Sequence, residues 1–163
     1  MNTPNNQLIV LGIDPGYDRI GWAIGKGLGS KPEIIDFGCI QTNKKEEIFD
    51  RYQFIENKLQ KIIEQYQPQE LAIETLFFSK NKKTALQVSE ARGVILSCCT
   101  RNKLNIFEYF PNQIKLAVTG NGQATKAAME KMIHLQLDIP RKKIIDDAID
   151  AIGIVLTHAV TRR

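Results

Sequence analysis

The feature that most constrains this chain is a short apolar run near its start that ends in a single carboxylate. Leu8-Ile9-Val10-Leu11-Gly12-Ile13 is apolar around one glycine, and Asp14-Pro15-Gly16 follows at once. The run predicts a strand buried on both faces, and Pro-Gly predicts a turn directly after it. A carboxylate at the end of a central strand lies at a sheet edge, where ligands and metals are commonly held. Asp14 could equally serve only to cap the turn.

The length and composition are those of one soluble globular domain. The chain has 163 residues, 43% hydrophobic and 25% charged, so we expect a single domain over 1–163 with residues 1–7 flexible. No apolar run is long enough for a membrane span. The three cysteines are an odd number, which indicates no disulfide framework and favours a cytoplasmic location.

The charge distribution points weakly to a polyanionic substrate. The net charge is +4, from 22 basic and 18 acidic residues. Several lysines and arginines lie close in sequence to carboxylates, as in Arg141-Lys142-Lys143, which precedes Asp146. This arrangement suits a polyanion brought to a metal site, although any one of these residues can simply be a solvated surface cation.

Hydrophobic periodicity predicts a mixed five-stranded sheet flanked by helices, an α/β fold. Three strands joined by short turns come first, and helical crossovers then lead to strands parallel to the first one. The predicted strands cover about 8–13, 19–25, 33–40, 70–73 and 105–109, and the predicted helices cover about 46–66, 84–99, 111–118, 124–137 and 146 to the end. The helix at 84–99 is apolar on more than one face, so it either meets a second subunit or is sandwiched within its own monomer.

Acidic residues follow or begin three of these elements. Asp14 and Glu74 end two strands predicted to be neighbours, and Asp146, Asp147 and Asp150 lie in the first turns of the last helix. Carboxylates gathered at one point repel one another and need a cation. All-oxygen ligands suit Mg²⁺ or Mn²⁺, and two such ions can clamp a phosphodiester. The alternative is that Glu74 is a surface acid and that the helix acids only favour the dipole.

Four stretches in order carry a resemblance to a known family. They are Gly12-Ile13-Asp14-Pro15-Gly16, Ala72-Ile73-Glu74-Thr75-Leu76-Phe77, Ala91-Arg92-Gly93-Val94 and Asp147-Ala148-Ile149-Asp150-Ala151. With Phe107-Glu108-Tyr109 and Gly120-Asn121-Gly122, they make the chain resemble the RuvC-type Holliday-junction resolvases of bacteria from about Ile9 to His158.

The resemblance implies a ribonuclease H-like fold and a homodimer that nicks four-way DNA junctions symmetrically during recombination and repair. It implies two Mg²⁺ ions per active site, with Mn²⁺ able to substitute, and a branch-migration helicase complex as a partner. The catalytic and metal-binding acids would be Asp14, Glu74, Asp147 and Asp150. Helix geometry alone leaves both Asp146 and Asp147 as partners of Asp150, and the resemblance selects Asp147. His158 is about three turns away from Asp147, so we interpret it as structural.

The same resemblance suggests the residues that bind DNA. Phe77 would contact bases at the junction centre, and Lys115 and Lys126 would contact DNA. Exposed aromatic rings among lysines can stack on unpaired bases or wedge a step open. The lysines beside Phe77 are therefore also candidate DNA-binding residues: Lys80, Lys82 and Lys83. The plain alternatives are that the phenylalanines at 77 and 78 are core residues and that the lysines are only solvated.

Other protein families share parts of this sequence pattern. A ribonuclease H-like nuclease that trims ribosomal RNA precursors shares an early Asp-x-Gly at a strand end. Sugar-kinase and actin-like ATPases also carry Asp-x-Gly after a strand, but they need two such domains. A non-catalytic junction-binding protein of the same fold is a fourth interpretation, which the intact acids disfavour.

Overall fold

The computed structural model describes residues 8–76, 82–139 and 144–162, with the backbone alone at 82 and 83. Within these ranges the chain forms five strands and five helices, and their ends lie within about two residues of the predicted ones. They are β1 (Ile9–Asp14), β2 (Arg19–Lys26), β3 (Glu33–Gln41), α1 (Ile48–Tyr66), β4 (Glu70–Glu74), α2 (Lys82–Arg101), β5 (Asn105–Tyr109), α3 (Pro111–Thr119), α4 (Lys126–Gln136) and α5 (Asp146–Thr161).

The strands form one mixed sheet in the order β3-β2-β1-β4-β5. β1, β2 and β3 are antiparallel neighbours, whereas β4 runs parallel to β1 and β5 runs parallel to β4. Because α1 and α2 are the crossovers between the parallel strands, the carboxyl ends of β1, β4 and β5 meet at one edge of the sheet. The mixed five-stranded sheet predicted from the sequence is confirmed.

Two apolar layers cover the sheet. Val10 faces a core formed with α3, α4 and α5, whereas Leu11 and Ile13 face a core formed with α1 and α2. β1 is thus buried on both faces, as its apolar run predicted. No helix in the described ranges is long and apolar enough to cross a membrane.

Helix α2 packs against its own monomer along one side. Ile95, Cys98 and Cys99 are fully buried in the core, so both cysteines are core residues. Leu86, in contrast, is 63% exposed, and Gly93 is also exposed. The sandwiched interpretation therefore holds for the Ile95 side of α2, and only the opposite side is open to a partner.

A hydrogen-bonded network of polar side chains lies at the C-terminal, or distal, end of α5. We call it the His158 cluster, and it consists of Glu70, Tyr109, His158 and Arg162. His158 Nε2 lies 2.7 Å from Glu70 Oε2, and the Tyr109 hydroxyl lies 2.8 Å from His158 Nδ1. Arg162 Nη2 donates to Glu70 Oε1 at 3.1 Å. His158 has no exposed surface and every group in the cluster has a partner, so the structural interpretation of His158 fits.

Candidate active site

The acids at the strand ends converge on one cleft. Asp14 is the last residue of β1 and Glu74 is the last residue of β4, and the parallel register that pairs Ile13 with Ile73 sets them side by side. Asp150 of α5 completes the acidic wall of a cleft of about 270 Å³. Lys115 and Lys126 line the same cleft from α3 and α4.

Two glycines let α5 approach the sheet closely enough to bring its acids to this cleft. A Cβ on Gly21 would lie 1.8 Å from the carbonyl oxygen of Asp147, and one on Gly12 would lie 2.7 Å from that of Ala151. Any side chain at either position would push the helix away from the sheet. The glycines in β1 and β2 therefore set the distance between Asp14 and the acids of α5.

The site brings several carboxylates together in a partly buried cleft. Burial, and then the carboxylates of Asp150, Glu74 and Asp147, raise the pKa of Asp14 to about 8. Burial and the Asp150 carboxylate raise the pKa of Glu74 to about 7. Burial also raises the pKa of Asp150, although the Lys126 ammonium opposes this rise. A cation in the cleft would relieve the repulsion.

Protein cations pair with the acids of α5. Lys126 Nζ lies 3.2 Å from Asp150 Oδ2 and 3.7 Å from Asp146 Oδ2. The Arg19 guanidinium binds Asp147 with both Nη2, at 2.6 Å, and Nε, at 2.8 Å. Sequence reasoning gave Arg19 no role. The available signal was its position at the start of β2, the strand that pairs with β1 beside Asp14.

Arg92 is a second arginine whose place the sequence did not reveal. It forms an ion pair with Glu108 on β5, and its Nε donates a long 3.4 Å hydrogen bond to the Glu74 carbonyl. The Thr75 amide donates to the Tyr109 carbonyl at 2.9 Å. These contacts fix the end of β4 and hence the base of the Glu74 side chain.

The two neighbouring aspartates of α5 differ in their surroundings. The Asp147 side chain is 25% exposed, and its charge acts on Asp14. The Asp146 side chain is 72% exposed. Asp146 lies in the first turn of α5, beside Lys126, where its charge favours the helix dipole. It does not cap the helix, because the N-cap residue is Ile145 and no side chain bonds to the free amides there.

Not every predicted site residue falls within the described ranges. Asp14, Glu74, Asp150, Lys115 and Lys126 line the cleft together, and Asp147 lies at its side in an adjoining depression with Arg19. Phe77 and Lys80 lie outside the described residues, as do the side chains of Lys82 and Lys83.

The chemistry of the donors fits a hard divalent cation. The three acids that line the cleft offer only carboxylate oxygens, the ligands preferred by Mg²⁺ and Mn²⁺. In the part of the chain that the structure describes, no three acidic, histidine or cysteine side chains are already drawn together around one point. Binding an ion would therefore draw the carboxylates together and loosen the ion pairs of Asp150 and Asp147.

Comparison with known proteins identifies the family. A family model described as crossover junction endodeoxyribonuclease RuvC matches residues 10–158. The chain is 44% identical to the RuvC of Petrotoga mobilis over 156 residues, covering 96% of each protein, and 45% identical to that of Brachyspira hyodysenteriae over 157 residues, again covering 96% of each.

Solved structures of Holliday junction resolvases also resemble this chain. RuvC of T. thermophilus, solved in complex with a Holliday junction substrate, superimposes with a TM-score of 0.87 at 27% identity, covering 94% of this chain and 93% of that one. The yeast mitochondrial Holliday junction resolvase Ydc2 shares the fold at a TM-score of 0.67 and 13% identity, covering 95% of this chain and 79% of its own. The ribonuclease H-like fold is thereby confirmed, and the chain belongs to the RuvC family of crossover junction endodeoxyribonucleases.

Proposed function

We propose that this protein is a structure-specific endodeoxyribonuclease that resolves four-way DNA junctions by paired, symmetric nicks during recombination and repair. The observation that carries the proposal is the convergence of Asp14, Glu74 and Asp150 at the carboxyl edge of the sheet, beside two lysines. That cleft lies in a chain aligned with RuvC proteins over nearly its whole length. An RNA-processing nuclease or a non-catalytic binding protein would not account for both observations as well.

Divalent metal ions are the cofactors we assign to the cleft. We infer that Asp14, Glu74, Asp147 and Asp150 hold two Mg²⁺ ions and that Mn²⁺ can replace them. Two such ions stabilise the attacking and leaving oxygens of a phosphodiester. The raised pKa values of Asp14 and Glu74 support this assignment, because burial and mutual repulsion disfavour their ionised forms and a bound cation would favour them.

The lysines of the cleft would position the DNA strand. Lys115 lies close enough to Glu74 to oppose the rise of its pKa, and Lys126 bridges Asp150 and Asp146. With metal ions held by the acids, both ammonium groups would be available to phosphate oxygens. We therefore propose that these two lysines hold the scissile strand over the carboxylates.

The segment after Glu74 completes the proposed DNA interface. Phe77 would contact bases at the junction centre, and Lys80, Lys82 and Lys83 would contact phosphates beside it. The chain direction supports this placement, because the segment leaves β4 directly from the acidic cleft and enters α2. Phe77→Ala should then cut junctions poorly while the melting temperature stays nearly unchanged. A large fall in melting temperature would show that Phe77 is a core residue.

A homodimer is the proposed assembly, with a branch-migration helicase complex as a further partner and the cytoplasm as the location. A four-way junction has approximate two-fold symmetry, and a two-fold dimer would place two identical clefts on it. The open side of α2, with exposed Leu86 and Gly93, supports an interface there.

Leu86→Glu should weaken the dimer without unfolding the monomer, because the side chain is 63% exposed. Ile95→Glu, at a fully buried position, should instead unfold the chain. Sedimentation velocity at micromolar concentration measures both effects. A wild-type protein that sediments as a monomer would contradict the dimer.

A nicking assay on synthetic four-way junctions tests the function directly. We expect paired nicks in strands of like polarity with Mg²⁺ and none with EDTA, and little cutting of linear duplex of the same sequence. Asp14→Asn is the matched inactive control. Equal cutting of junction and linear DNA would contradict the proposed specificity, and cutting of ribosomal RNA precursors alone would favour the alternative nuclease.

A further inference from the structure

A second groove lies on the α1 face of the sheet, away from the acids. It has a volume of about 400 Å³, within the range of small-ligand sites. We name it the Trp22 groove. The residues that line it include Trp22, Gln41, Phe54, Lys58, Lys61 and Gln65.

The groove is built by α1 and the two outer strands. Phe54, Lys58, Lys61 and Gln65 recur at helical spacing, so they form one stripe beside the stripe that packs into the core. Trp22 lies opposite Gly38 on the edge strand, and a Cβ there would lie 2.9 Å from the indole. Gly38 therefore leaves room for the indole, which remains partly exposed.

The chemistry of the lining is aromatic, amide and cationic. None of the residues that line the groove is acidic. The Lys58 ammonium lies 5.2 Å from the centre of the Phe54 ring, so its charge is held over an aromatic surface. Glu56, also on α1, is instead paired with Arg101 of α2. Lysines beside aromatic rings and amides are the combination that binds a base and its phosphates.

The groove opens at the same end of the sheet as the acidic cleft. Gln41 is the register partner of Arg19, and Arg19 binds Asp147. The groove and the cleft thus lie on opposite faces of the sheet. The groove reaches the carboxyl-end edge at Gln41, and the depression with Arg19 and Asp147 adjoins the cleft on the β2 side of that edge. A DNA strand that leaves the cleft past Arg19 can reach the groove by passing over that edge.

We propose that the Trp22 groove binds one or two unpaired nucleotides of the DNA strand next to the cleavage site. A base stacks on Trp22 and Phe54, the amide of Gln65 contacts a base edge, and Lys58 and Lys61 bind the flanking phosphates. This proposal rests on the proposed function for the presence of DNA, but DNA binding in the groove is measured without cleavage.

Trp22 is the only tryptophan in the chain, so its fluorescence reports on this groove. With EDTA present to prevent cleavage, a single-stranded oligothymidylate of ten nucleotides should quench the fluorescence, and a linear duplex should not. Phe54→Ala should weaken the fluorescence-detected binding about tenfold, as expected for the loss of one stacking partner.

The lysines are tested through the salt dependence of the same binding. Lys58→Ala with Lys61→Ala should reduce the slope of log K against log salt by about 1.4, since each phosphate contact on a single strand contributes about 0.7. Lys31→Ala with Lys45→Ala, two exposed lysines outside the groove, is the matched control and should leave the slope and the quenching unchanged.

The outcomes separate this proposal from the assigned activity. If a labelled junction binds by fluorescence anisotropy but no DNA changes the Trp22 emission, or if quenching persists unaltered in the Lys58 and Lys61 variant, the groove is not a nucleotide site. Equal quenching by linear duplex would also overturn base stacking. If no junction binds at all, the proposed function fails first, and the groove proposal fails with it.

Discussion

The two ends of α5 carry clusters of charged residues that differ in how their charges are paired. At the distal end, the Glu70 carboxylate accepts hydrogen bonds from His158 and Arg162, and His158 also contacts the Tyr109 hydroxyl. At the proximal end, Asp14 and Glu74 face other carboxylates, which raise their pKa values. The distal cluster is fully paired within the protein, whereas the proximal cluster leaves Asp14 and Glu74 facing like charge.

The distal cluster has a defined protonation state. The carboxylate of Glu70 can only accept, so His158 Nε2 donates to it and Nδ1 accepts from Tyr109. Burial lowers the pKa of His158 despite the nearby Glu70. The imidazole is therefore neutral, and the cluster satisfies its own polar groups. A charged group that is fully paired inside the protein stabilises the fold, whereas one left facing like charge is available for function.

The largest effect should come from the acids of the proximal end. Asp14→Asn, Glu74→Gln, Asp147→Asn and Asp150→Asn should each reduce junction nicking by more than about 100-fold, because changes that only support a metal ligand already cost about 10–100-fold. Junction binding should persist, since the lysines remain. Nicking rates under single-turnover conditions measure the loss, and any variant within a few-fold of wild type shows that its residue is not a ligand.

A substitution at the distal end should instead lower stability and leave the nicking activity unchanged. His158→Ala should destabilise the fold by about 3 kcal/mol, because it leaves a cavity at a fully buried position and removes the His158 contacts of the Glu70 carboxylate and the Tyr109 hydroxyl. That loss corresponds to a melting temperature lower by about 6–12 °C. Nicking per folded molecule should be retained at a temperature where the variant is folded. A variant that melts normally but cannot nick would give His158 a role in the reaction.

The two ends should also respond to pH with opposite sign. The pKa of Asp14 is raised from 3.8 to about 8, so between these values the folded chain binds the extra proton and stability falls as pH rises. The pKa of His158 is lowered from 6.5, so its contribution is complete above 6.5 and is lost as pH falls.

Melting temperatures in EDTA between pH 5 and 8 measure these slopes. The melting temperature of Asp14→Asn should rise by a few degrees relative to wild type as pH rises. The melting temperature of His158→Gln should lie below that of wild type, and this difference should shrink as pH falls below 6.5. Adding Mg²⁺ should remove the advantage of Asp14→Asn at high pH. Parallel pH profiles for wild type and Asp14→Asn would contradict the charge repulsion in the cleft.

The smallest effect is expected at Asp146, the neighbour of a proposed ligand. Its side chain is exposed, and its contact with Lys126 is 3.7 Å long. Asp146→Asn should therefore cost at most about 1 kcal/mol of stability and keep most of the nicking activity. Asp147→Asn is the matched variant one position away. If Asp146→Asn were inactive and Asp147→Asn active, the metal site would have to be shifted by one helix position.

The sequence was sufficient for the elements and for the pairing of Asp14 with Glu74, because apolar periodicity and a helical crossover determine both. It was insufficient to predict the ion pairs of Arg19 with Asp147 and of Arg92 with Glu108. Each pair joins residues on two different elements, and its formation depends on side-chain direction and on how closely the helices pack against the sheet. The Trp22 groove was hidden for the same reason, since it requires Gly38 to lie across from the indole.

The close contact between Gly21 and the first turn of α5 has a consequence for how this protein tolerates sequence change. Backbone lies against backbone there, so main-chain atoms limit how closely the first turn of α5 approaches the sheet. A change of a core side chain elsewhere on α5 leaves this contact itself intact. The glycines are in turn the sensitive positions, because one added methyl group at Gly21 or Gly12 would displace the helix that carries both Asp147 and Asp150.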